Sequence, residues 1–554
     1  MAVSAVNLSF FDPDTELELV RLAVELGATS SGGPLSSAES ELVGRAITAP
    51  VLSDDVIAGV VDSIRHGDDL LGDMLCQLRS AVRRRVTGAF FTPPSLVAPM
   101  VEWTTSRSPD RIVDAGCGTG RFTLASATAS PGAEVVAVDV DPLMTLLARA
   151  AVSVLGLNNV RVTQSDFTRV QLPKISGRTA YIGNPPYVRH HDLPAATKEW
   201  ARRTASALGY RVSSLAGLHA LFYLAVAAAA EVRDIGCFVT SAEWLDVGYG
   251  AIVRDLLTQC LGMEGLHLLD ADSNPFEDAM TTALIACFEI ESRKDSVVAG
   301  SYASADQIGK LEFGETVPMD RLEREKRWSP VLRREKPFDE DQFVKLGDVA
   351  RVHRGIVTGG NDFFVLSRHQ AEGLGLLRFC RPAITRAKEI FDAAGSGVIR
   401  RGENTKLVVD IPADIDRSVF ERVDAFLRRG EAALDGVRPV SEGYICGHRR
   451  PWWRLGIGSP PPIVASYMAR QAPAFALNPD GLIPLNIAHG IYPLTPTSDD
   501  DLQRLVRNLN ELRHLYRGAG RTYHGGMEKF EPRELEALPL YNSPRMDNES
   551  DRGC

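Results

Sequence analysis

Four consecutive residues, Asn184-Pro185-Pro186-Tyr187, combine an amide, two proline rings and an aromatic ring. The prolines fix their own φ angles, remove two backbone N–H donors and keep the preceding residue out of the helical region. Asn184 Oδ1 and the Pro185 carbonyl can each accept an N–H from an exocyclic amine, while Tyr187 can stack on the ring that carries the amine. A rigid loop with a packed tyrosine is the alternative interpretation of this motif alone.

A second motif, Asp114-Ala115-Gly116-Cys117-Gly118-Thr119-Gly120, follows a short apolar stretch and precedes a predicted helix. Its glycines allow the backbone to approach a ligand closely, and a nucleotide-like ligand binds at such a turn at the carboxyl edge of a parallel sheet. The motif is not G-x-G-x-x-G and no G-K-[ST] follows, so neither a dinucleotide nor a triphosphate is indicated. The carboxylate at the strand end instead suits a cationic or hydroxyl-bearing ligand.

Two further predicted strands, 134–139 and 160–167, also end in acidic residues. Asp139 can accept hydrogen bonds from both hydroxyls of a ribose, whereas Asp166 can accept an adenine amino N–H with Phe167 beside the ring. The strand before Asn184 is the fourth in this series. Four strands separated by helices, each ending in a polar residue, predict one parallel sheet with a polar carboxyl edge.

The stretch Gly88-Ala89-Phe90-Phe91-Thr92-Pro93-Pro94 precedes a predicted helix over 95–105. Ser95 or Thr92 can cap this helix, and prolines are common at helix starts. Taken alone, the stretch favours a helix-entry turn with two packed phenylalanines over a ligand site.

The order of these motifs over residues 88–187 resembles the class I AdoMet-dependent amino methyltransferases. More narrowly, G-A-F-F-T-P-P, D-A-G-C-G-T-G, V-D-V-D, S-D-F and N-P-P-Y resemble the gamma class (Taq-like) of N6-adenine DNA methyltransferases. The resemblance implies an α/β fold with a mainly parallel, Rossmann-like, seven-stranded sheet and a C-terminal α+β target-recognition domain. It also implies S-adenosyl-L-methionine (AdoMet) as the cofactor.

The resemblance also assigns roles to individual residues. It implies catalytic roles for Asn184, Pro185 and Tyr187, and for Phe276 as a second base-stacking ring in the loop 274–283. The residues that it implies for cofactor binding are Phe91, Thr92, Asp114, Ala115, Gly116, Cys117, Gly118, Asp139, Val140, Asp166, Phe167, Asn184 and Pro186. No metal is expected, because the eight cysteines include no C-x-x-C pair.

Five segments are predicted along the chain. They are an N-terminal helical region (1–80), a catalytic AdoMet-binding domain (81–295), a linker with insertions (296–344), a DNA target-recognition domain (345–542) and a disordered tail (543–554). The helical region shows apolar stripes at helical spacing but no chemistry. The linker assignment rests on a charged stretch with little apolar periodicity.

The reaction implied by the resemblance is methyl transfer to N6 of an adenine flipped out of double-stranded DNA, as the modification enzyme of a restriction–modification system. Methylation of a protein glutamine or an RNA amino group by the same N-P-P-Y chemistry is the alternative. Those relatives are usually shorter and lack a long region after Lys345. A cognate restriction endonuclease acting on the same site would be a partner, and the chain is expected to be a monomer.

Bulk composition sets the remaining limits. No apolar run approaches the ~20 residues of a membrane span, and scattered cysteines suit a cytoplasmic protein. The net charge is −10, but residues 321–470 carry 27 Lys and Arg against 20 Asp and Glu, which permits a DNA-facing surface there. Arg449, Arg450, Trp452, Trp453, Arg454, Tyr467 and Arg470 could serve phosphate contacts and stacking; a packed core explains the tryptophans equally well.

Overall fold

The computed structural model describes residues 15–50, 52–79, 88, 91–269, 282–333, 343–433, 438–470, 472–516, 519–523 and 527–541. The chain divides into two compact units, residues 1–335 and 336–554. The N-terminal unit contains the predicted motifs and is described first.

A nine-stranded sheet forms the centre of the described part of the N-terminal unit, in the order β3-β2-β1-β4-β5-β7-β6-β8-β9. Its strands are β1 (Arg111–Ala115), β2 (Glu134–Asp139), β3 (Val160–Gln164), β4 (Thr179–Gly183), β5 (Ile235–Ser241), β6 (Met263–Leu269), β7 (Ala283–Glu289), β8 (Ser296–Tyr302) and β9 (Glu315–Pro318). β1 to β5 are parallel, and β7 is antiparallel to both β5 and β6. The first seven strands confirm the predicted class I methyltransferase fold, although the sheet has nine strands rather than seven.

Helices cover both faces of this sheet. The helices of the described part of this unit are α1 (Glu16–Glu25), α2 (Ser37–Ala46), α3 (Asp54–His66), α4 (Leu70–Leu78), α5 (Pro94–Thr105), α6 (Arg121–Ala129), α7 (Pro142–Val154), α8 (Ala195–Ala207), α9 (Leu218–Ala229), α10 (Ala251–Gln259), α11 (Met319–Arg324) and α12 (Ser329–Leu332). Along β1, Ile112 packs in the layer with α5 and α6, whereas Val113 packs in the layer with α8 and α9. Because both faces are buried, the central strands are almost continuously apolar.

The helices α1 to α4 pack on α7 of the sheet domain through a shared apolar core. Within this contact Arg149 and Glu39 form an ion pair of 2.8 Å with both side chains fully buried. The Arg149 guanidinium also donates to the carbonyls of Ser31, Gly33, Pro34 and Val162. A buried charge is tolerated only when it is paired and hydrogen-bonded, and this arginine meets both conditions.

The predicted linker over 296–344 is wrong for the described residues 296–333. β8 pairs in parallel with β6, and β9 pairs antiparallel with β8, so both strands extend the sheet. Only alternate residues of β8, such as Val297 and Ala299, are buried, which gives the strand too few apolar residues to stand out among charged neighbours. Trp328 then packs its ring 6.1 Å from that of Trp244.

The C-terminal unit has an α+β architecture built from small sheets, with the orders β10-β22, β11-β19-β15-β17, β12-β14-β13-β18 and β16-β21-β20 among the described residues. Its strands are β10 (Phe343–Lys345), β11 (Ala350–Arg354), β12 (Val365–Leu366), β13 (Cys380–Ile384), β14 (Leu407–Val409), β15 (Ile463–Ser466), β16 (Met468–Ala469), β17 (Phe475–Leu477), β18 (Ile483–Pro484), β19 (Ala488–Pro493), β20 (Arg521–Tyr523), β21 (Met527–Lys529) and β22 (Pro539–Tyr541). Its helices are α13 (Leu346–Val349), α14 (Asn361–Phe364), α15 (Arg368–Gly373), α16 (Ala387–Ala393), α17 (Glu421–Glu431), α18 (Tyr444–Gly447), α19 (Asp499–Glu511) and α20 (Pro532–Glu536). The predicted tail, 543–554, lies outside the described residues.

Across the described ranges, no helix is both long and apolar enough to cross a membrane.

Replacing Arg149 by methionine should lower the free energy of unfolding of the N-terminal unit by about 3–5 kcal/mol, because Glu39 would remain buried without its partner. Chemical denaturation of the full chain, followed by circular dichroism, measures this change. Arg161→Met is the matched control, since Arg161 pairs with Glu134 at 3.4 Å and both side chains are more than 40% exposed. Its cost should stay below about 1 kcal/mol, and equal costs for the two variants would contradict the prediction.

Candidate active site

The carboxyl ends of β1, β2, β3 and β4 lie side by side at one edge of the sheet. These strands are parallel and neighbouring, in the order β3-β2-β1-β4. The sheet therefore brings Asp139, Asp166 and Asn184, which are distant in sequence, to the same edge. Ligands of open α/β sheets bind outside such an edge.

The turn after β1 depends on its glycines. Gly116, Gly118 and Gly120 have φ angles of +76°, +55° and +100°, which residues with side chains rarely adopt. The Gly118 N–H donates to Asp139 Oδ2 at 2.9 Å. This hydrogen bond joins the turn after β1 to the end of β2.

Asp139 is held by backbone donors on both of its oxygens. Besides the Gly118 bond, Oδ1 accepts from the Asp141 N–H at 2.9 Å. Burial raises the pKa of Asp139 to about 6, although these N–H groups oppose the shift. The side chain is therefore mostly ionised at neutral pH, and a carboxylate oxygen can accept further hydrogen bonds.

Asp114 and Ala115 lie beneath the turn and are fully buried. Asp114 Oδ2 accepts from Thr123 Oγ1 at 2.6 Å, whereas Oδ1 has no hydrogen-bond partner among the described residues. Burial raises the pKa of Asp114 to about 7. Asp114 holds the start of α6 under the turn, and the direct contact of Asp114 and Ala115 with a cofactor stays a prediction.

Asp166 and Phe167 follow β3. Asp166 Oδ1 accepts from the backbone N–H of Thr168 at 2.9 Å and from its hydroxyl at 2.7 Å. The Phe167 ring packs against Phe222 with the ring centroids 4.8 Å apart. The two rings form an aromatic surface beside Asp139 and Asp166.

The turn after β4 begins with a close approach between neighbouring strands. A Cβ atom on Gly183, whose φ is +150°, would lie 2.6 Å from the Ala115 carbonyl oxygen. Asn184 Nδ2 then donates to Thr92 Oγ1 at 3.1 Å. The prediction that Thr92 or Ser95 caps α5 is wrong. Pro93 occupies the N-cap position, and it makes no side-chain hydrogen bond.

The close contacts of Gly88 with Tyr187 explain why the stretch 88–94 begins with a glycine. Its carbonyl accepts from the Tyr187 N–H at 3.1 Å, and a Cβ on Gly88 (φ +68°) would lie 2.6 Å from Tyr187 N. The Tyr187 ring meets the His219 ring edge-on, 6.2 Å away. Burial raises the Tyr187 pKa well above its usual range, so the side chain is a neutral phenol.

A cavity of about 560 Å³ opens at this edge of the sheet. The predicted site residues that line it are Phe91, Thr92, Gly116, Cys117, Gly118, Asp139, Val140, Asp166, Phe167, Asn184 and Pro186. Pro185 and Tyr187 do not line it. Phe276 belongs to the segment 270–281, which lies outside the described residues, so its role stays a prediction.

Two arginines line the same cavity although no motif indicated them. Arg79 pairs with Glu16 and Asp141, and Arg121 pairs with Asp69 at 2.6 Å. Arg121 directly follows the glycine turn, which is a weak local signal. Arg79 has no such signal, because only the packing of the N-terminal helices brings it to the site.

In the C-terminal unit, the candidate basic and aromatic residues mostly serve local structure. Trp452 packs against Phe363 and donates its Nε1–H to Glu431 Oε1 at 3.1 Å, and Trp453 donates to the Pro412 carbonyl at 3.3 Å. These contacts favour the packed-core interpretation of both tryptophans.

Arg449 and Tyr467 are also engaged within this unit. Arg449 donates to the Thr358 carbonyl at 2.8 Å. The Tyr467 hydroxyl donates to Glu531 Oε1 at 3.1 Å. The geometry therefore gives no separate support for DNA contacts by these two side chains.

Family comparisons cover both units of the chain. Residues 335–552 match the family described as "Type II methyltransferase M.Eco57I, C-terminal domain", and residues 112–206 match "Methyltransferase domain". The Type II methyltransferase M.XamI of Xanthomonas campestris pv. amaranthicola is 38% identical over 96% of this chain and 99% of its own length. The Type II methyltransferase M.AccI of Acinetobacter calcoaceticus is 22% identical, over 85% of this chain and 88% of its own length.

Among solved structures, the type IIL restriction–modification enzyme MmeI in complex with DNA is similar in fold. The match has a TM-score of 0.53 and 12% identity, and it covers 88% of this chain and 75% of that one. A likeness at this identity concerns the fold alone, whereas the near full-length match at 38% identity concerns the family. The chain therefore belongs to the type II methyltransferases of restriction–modification systems.

Proposed function

We propose that this protein transfers the methyl group of AdoMet to N6 of an adenine flipped out of double-stranded DNA. The observation that carries the proposal is the position of Asn184, which lines the cavity at the same sheet edge as Asp139 and Asp166. An amide acceptor for an exocyclic amine thus lies beside side chains suited to a nucleoside.

The side chains that line the cavity are of the types that would bind AdoMet. Asp139 offers a carboxylate for ribose hydroxyls, Asp166 an acceptor for the adenine amino group, and Phe167 an apolar ring surface. The glycine turn removes the side chains that would fill the space next to it. Phe91, Thr92, Cys117, Val140 and Pro186 complete the proposed binding residues.

Bound AdoMet would supply an electrophilic methyl group. The adenine amine is a poor nucleophile, because its lone pair is delocalised into the ring. Asn184 Oδ1 and the Pro185 carbonyl would accept its two N–H bonds, draw the nitrogen toward tetrahedral geometry and stabilise the positive charge that develops on it. This is electrostatic catalysis by preorganised acceptors, and alignment of the reacting atoms adds a proximity effect.

Tyr187 and Phe276 are proposed to stack on the flipped base. Unstacking a base from a duplex costs a few kcal/mol, and stacking on aromatic side chains offsets part of that cost. We also propose residues 345–542 as the DNA target-recognition domain, and a restriction endonuclease of the same specificity as a cognate partner.

One comparison favours DNA over a glutamine or RNA substrate. The match to the Type II methyltransferase M.XamI includes the C-terminal unit. A methyltransferase that needed only the cavity of the N-terminal unit would have no use for a second unit of about 200 residues, which is the size of a whole domain.

Incubation with AdoMet and varied duplexes, followed by digestion to nucleosides and mass spectrometry, should reveal N6-methyladenine. Asn184→Ala should reduce the methylation rate by about a hundred- to thousandfold, since it removes one of the two acceptors from the transition state. AdoMet binding, measured by calorimetry, should persist in this variant. Label that appears only in RNA or a polypeptide, or normal turnover by Asn184→Ala, would refute the proposal.

AdoMet affinity should fall as the pH is lowered through about 6, the value to which burial raises the Asp139 pKa. Protonation removes the negative charge that strengthens the hydrogen bonds from the ribose hydroxyls, so the Kd should rise by up to about tenfold for each pH unit below 6. Asp139→Asn, measured by the same calorimetry, should bind weakly with no such dependence between pH 5 and 7. A wild-type Kd that stays constant over this range would argue against a ribose contact by Asp139.

Tyr187→Ala should weaken capture of the flipped base without weakening AdoMet binding. A lost stacking contact is worth about 1–3 kcal/mol, so we expect about a ten- to hundredfold loss in the population of flipped base. Fluorescence of 2-aminopurine at the target position measures this population. Tyr187→Phe keeps the ring and serves as the control, and equal losses in both variants would point to the hydroxyl rather than to stacking.

A further inference from the structure

The N-terminal helical region reaches the candidate active site through α4. Asp69 is the N-cap residue of this helix, and its Oδ1 accepts from the Gly72 N–H at 3.0 Å. Its other oxygen, Oδ2, accepts from Thr119 Oγ1 at 2.8 Å and from Arg121 Nε at 2.6 Å. One carboxylate thus joins the helical region to the glycine turn and to the first residue of α6.

Arg121 continues the connection toward the turn after β4. Its Nη1 donates to the Thr92 carbonyl at 2.8 Å, and its guanidinium lies over the Phe91 ring, 5.2 Å from the centroid. The planar guanidinium can hold Asp69 and the Thr92 carbonyl at once in a fixed geometry. The backbone position of Thr92 is therefore set from the side of α4.

Thr92 completes the chain of hydrogen bonds. The residue is 4% exposed, and its Oγ1 accepts from Asn184 Nδ2 at 3.1 Å. The two ends of an amide point in different directions. Engaging Nδ2 with Thr92 therefore selects the orientation in which Oδ1 is turned away from Thr92.

We propose that Asp69 and Arg121 are positioning residues for Asn184, acting through Thr92. This inference rests on the proposed function, in which Asn184 Oδ1 accepts an N–H of the substrate amine. The chain Asp69–Arg121–Thr92–Asn184 fixes the rotamer of the acceptor before substrate binds. A preorganised acceptor contributes more than one that must rotate into place, so Asp69 of the N-terminal helical region supports catalysis through Arg121 and Thr92.

If the role of Asp69 were purely structural, its substitution would have different effects. If Asp69 only shaped the glycine turn, its loss would weaken AdoMet binding and leave the rate at saturating AdoMet unchanged. If it only stabilised α4, its loss would lower the unfolding midpoint. The positioning role instead lowers the rate of methyl transfer at saturating substrates.

The test uses Asp69→Asn, which keeps an oxygen for the Gly72 cap but presents an N–H donor toward Arg121 if the cap is kept. Asp73→Asn is the matched control. Asp73 lies in the same helix, is 60% exposed, and its Oδ1 is 3.7 Å from Arg121 Nη2. Arg121→Lys gives a second route if Asp69→Asn folds poorly, because one ammonium group cannot reproduce both hydrogen bonds of the guanidinium.

Single-turnover methylation should slow by about ten- to hundredfold in Asp69→Asn and Arg121→Lys, the range seen when a reacting group is displaced by a fraction of an ångström to 1 Å. The Kd values for AdoMet and for duplex DNA should stay within about twofold of wild type in Asp69→Asn, whereas Arg121→Lys, which alters the cavity lining, is compared at saturating AdoMet. Asp73→Asn should match wild type in all three quantities.

A double-mutant cycle tests whether the effect runs through Thr92. Thr92→Val removes the hydroxyl that accepts from Asn184 but keeps the carbonyl and the shape. Adding Asp69→Asn to Thr92→Val should cause no further loss of rate, since residues that act through one contact are not additive. Rate losses that multiply in the double variant would overturn the proposal.

The side-chain amide signal of Asn184 provides a readout that needs no reaction. In protein labelled with 15N-asparagine, this signal is the one missing from Asn184→Ala. It should shift in Asp69→Asn and in Thr92→Val but not in Asp73→Asn. An unmoved signal in Asp69→Asn, or a loss confined to AdoMet affinity, would overturn the positioning role.

These readouts also separate this inference from the proposed function. If wild-type enzyme methylated another nucleobase amine, the N6-adenine assignment would fail, yet the rates on that base would still test the chain of hydrogen bonds. If no substrate were methylated, the proposed function would fail, and the amide signal would decide the positioning of Asn184 by itself.

Discussion

Parallel pairing of β1 with β2 on one side and with β4 on the other is the constraint on which the rest of the structure depends. It places the ends of consecutive crossover units at one edge, so that Gly118, Asp139 and Asn184 become neighbours. The strands can be apolar throughout because helices bury both faces. The polar side chains that line the proposed site therefore lie at the strand ends, where the chain leaves the sheet.

Concentrating acidic groups at that edge has an energetic cost. Burial raises the pKa of Asp114 to about 7 and that of Asp139 to about 6, which means that the folded protein disfavours their ionised forms. In the folded state these groups keep protons that an unfolded chain would release above about pH 4, so their contribution to stability declines as the pH rises through 6 and 7. Perturbed groups of this kind cluster at functional sites, and the apolar layers on both faces of the sheet offset their cost.

The sequence predicted the sheet edge well because its signals are local. A buried strand followed by Asp139, or by Asn184 and two prolines, is visible within ten residues. β8 and β9 escaped detection because an edge region buries only one face and offers few apolar residues. The cofactor contact of Asp114 stays a prediction for a different reason: the sequence does not show that this strand-end carboxylate is buried, and only the hydrogen bond from Thr123 reveals its surroundings.

The N-terminal helices could not be assigned a role from sequence because their contribution depends entirely on distant partners. Arg149 on α7 binds this layer through Glu39, and Arg121 on α6 binds it through Asp69. Since α6 follows β1 and α7 follows β2, the two ion pairs hold the layer on both sides of the hydrogen bond between Gly118 and Asp139. A layer attached at these two places restrains the glycine turn and, through Thr92, the amide of Asn184. The helical layer therefore helps to position the residues of the site, although it contains no motif of its own.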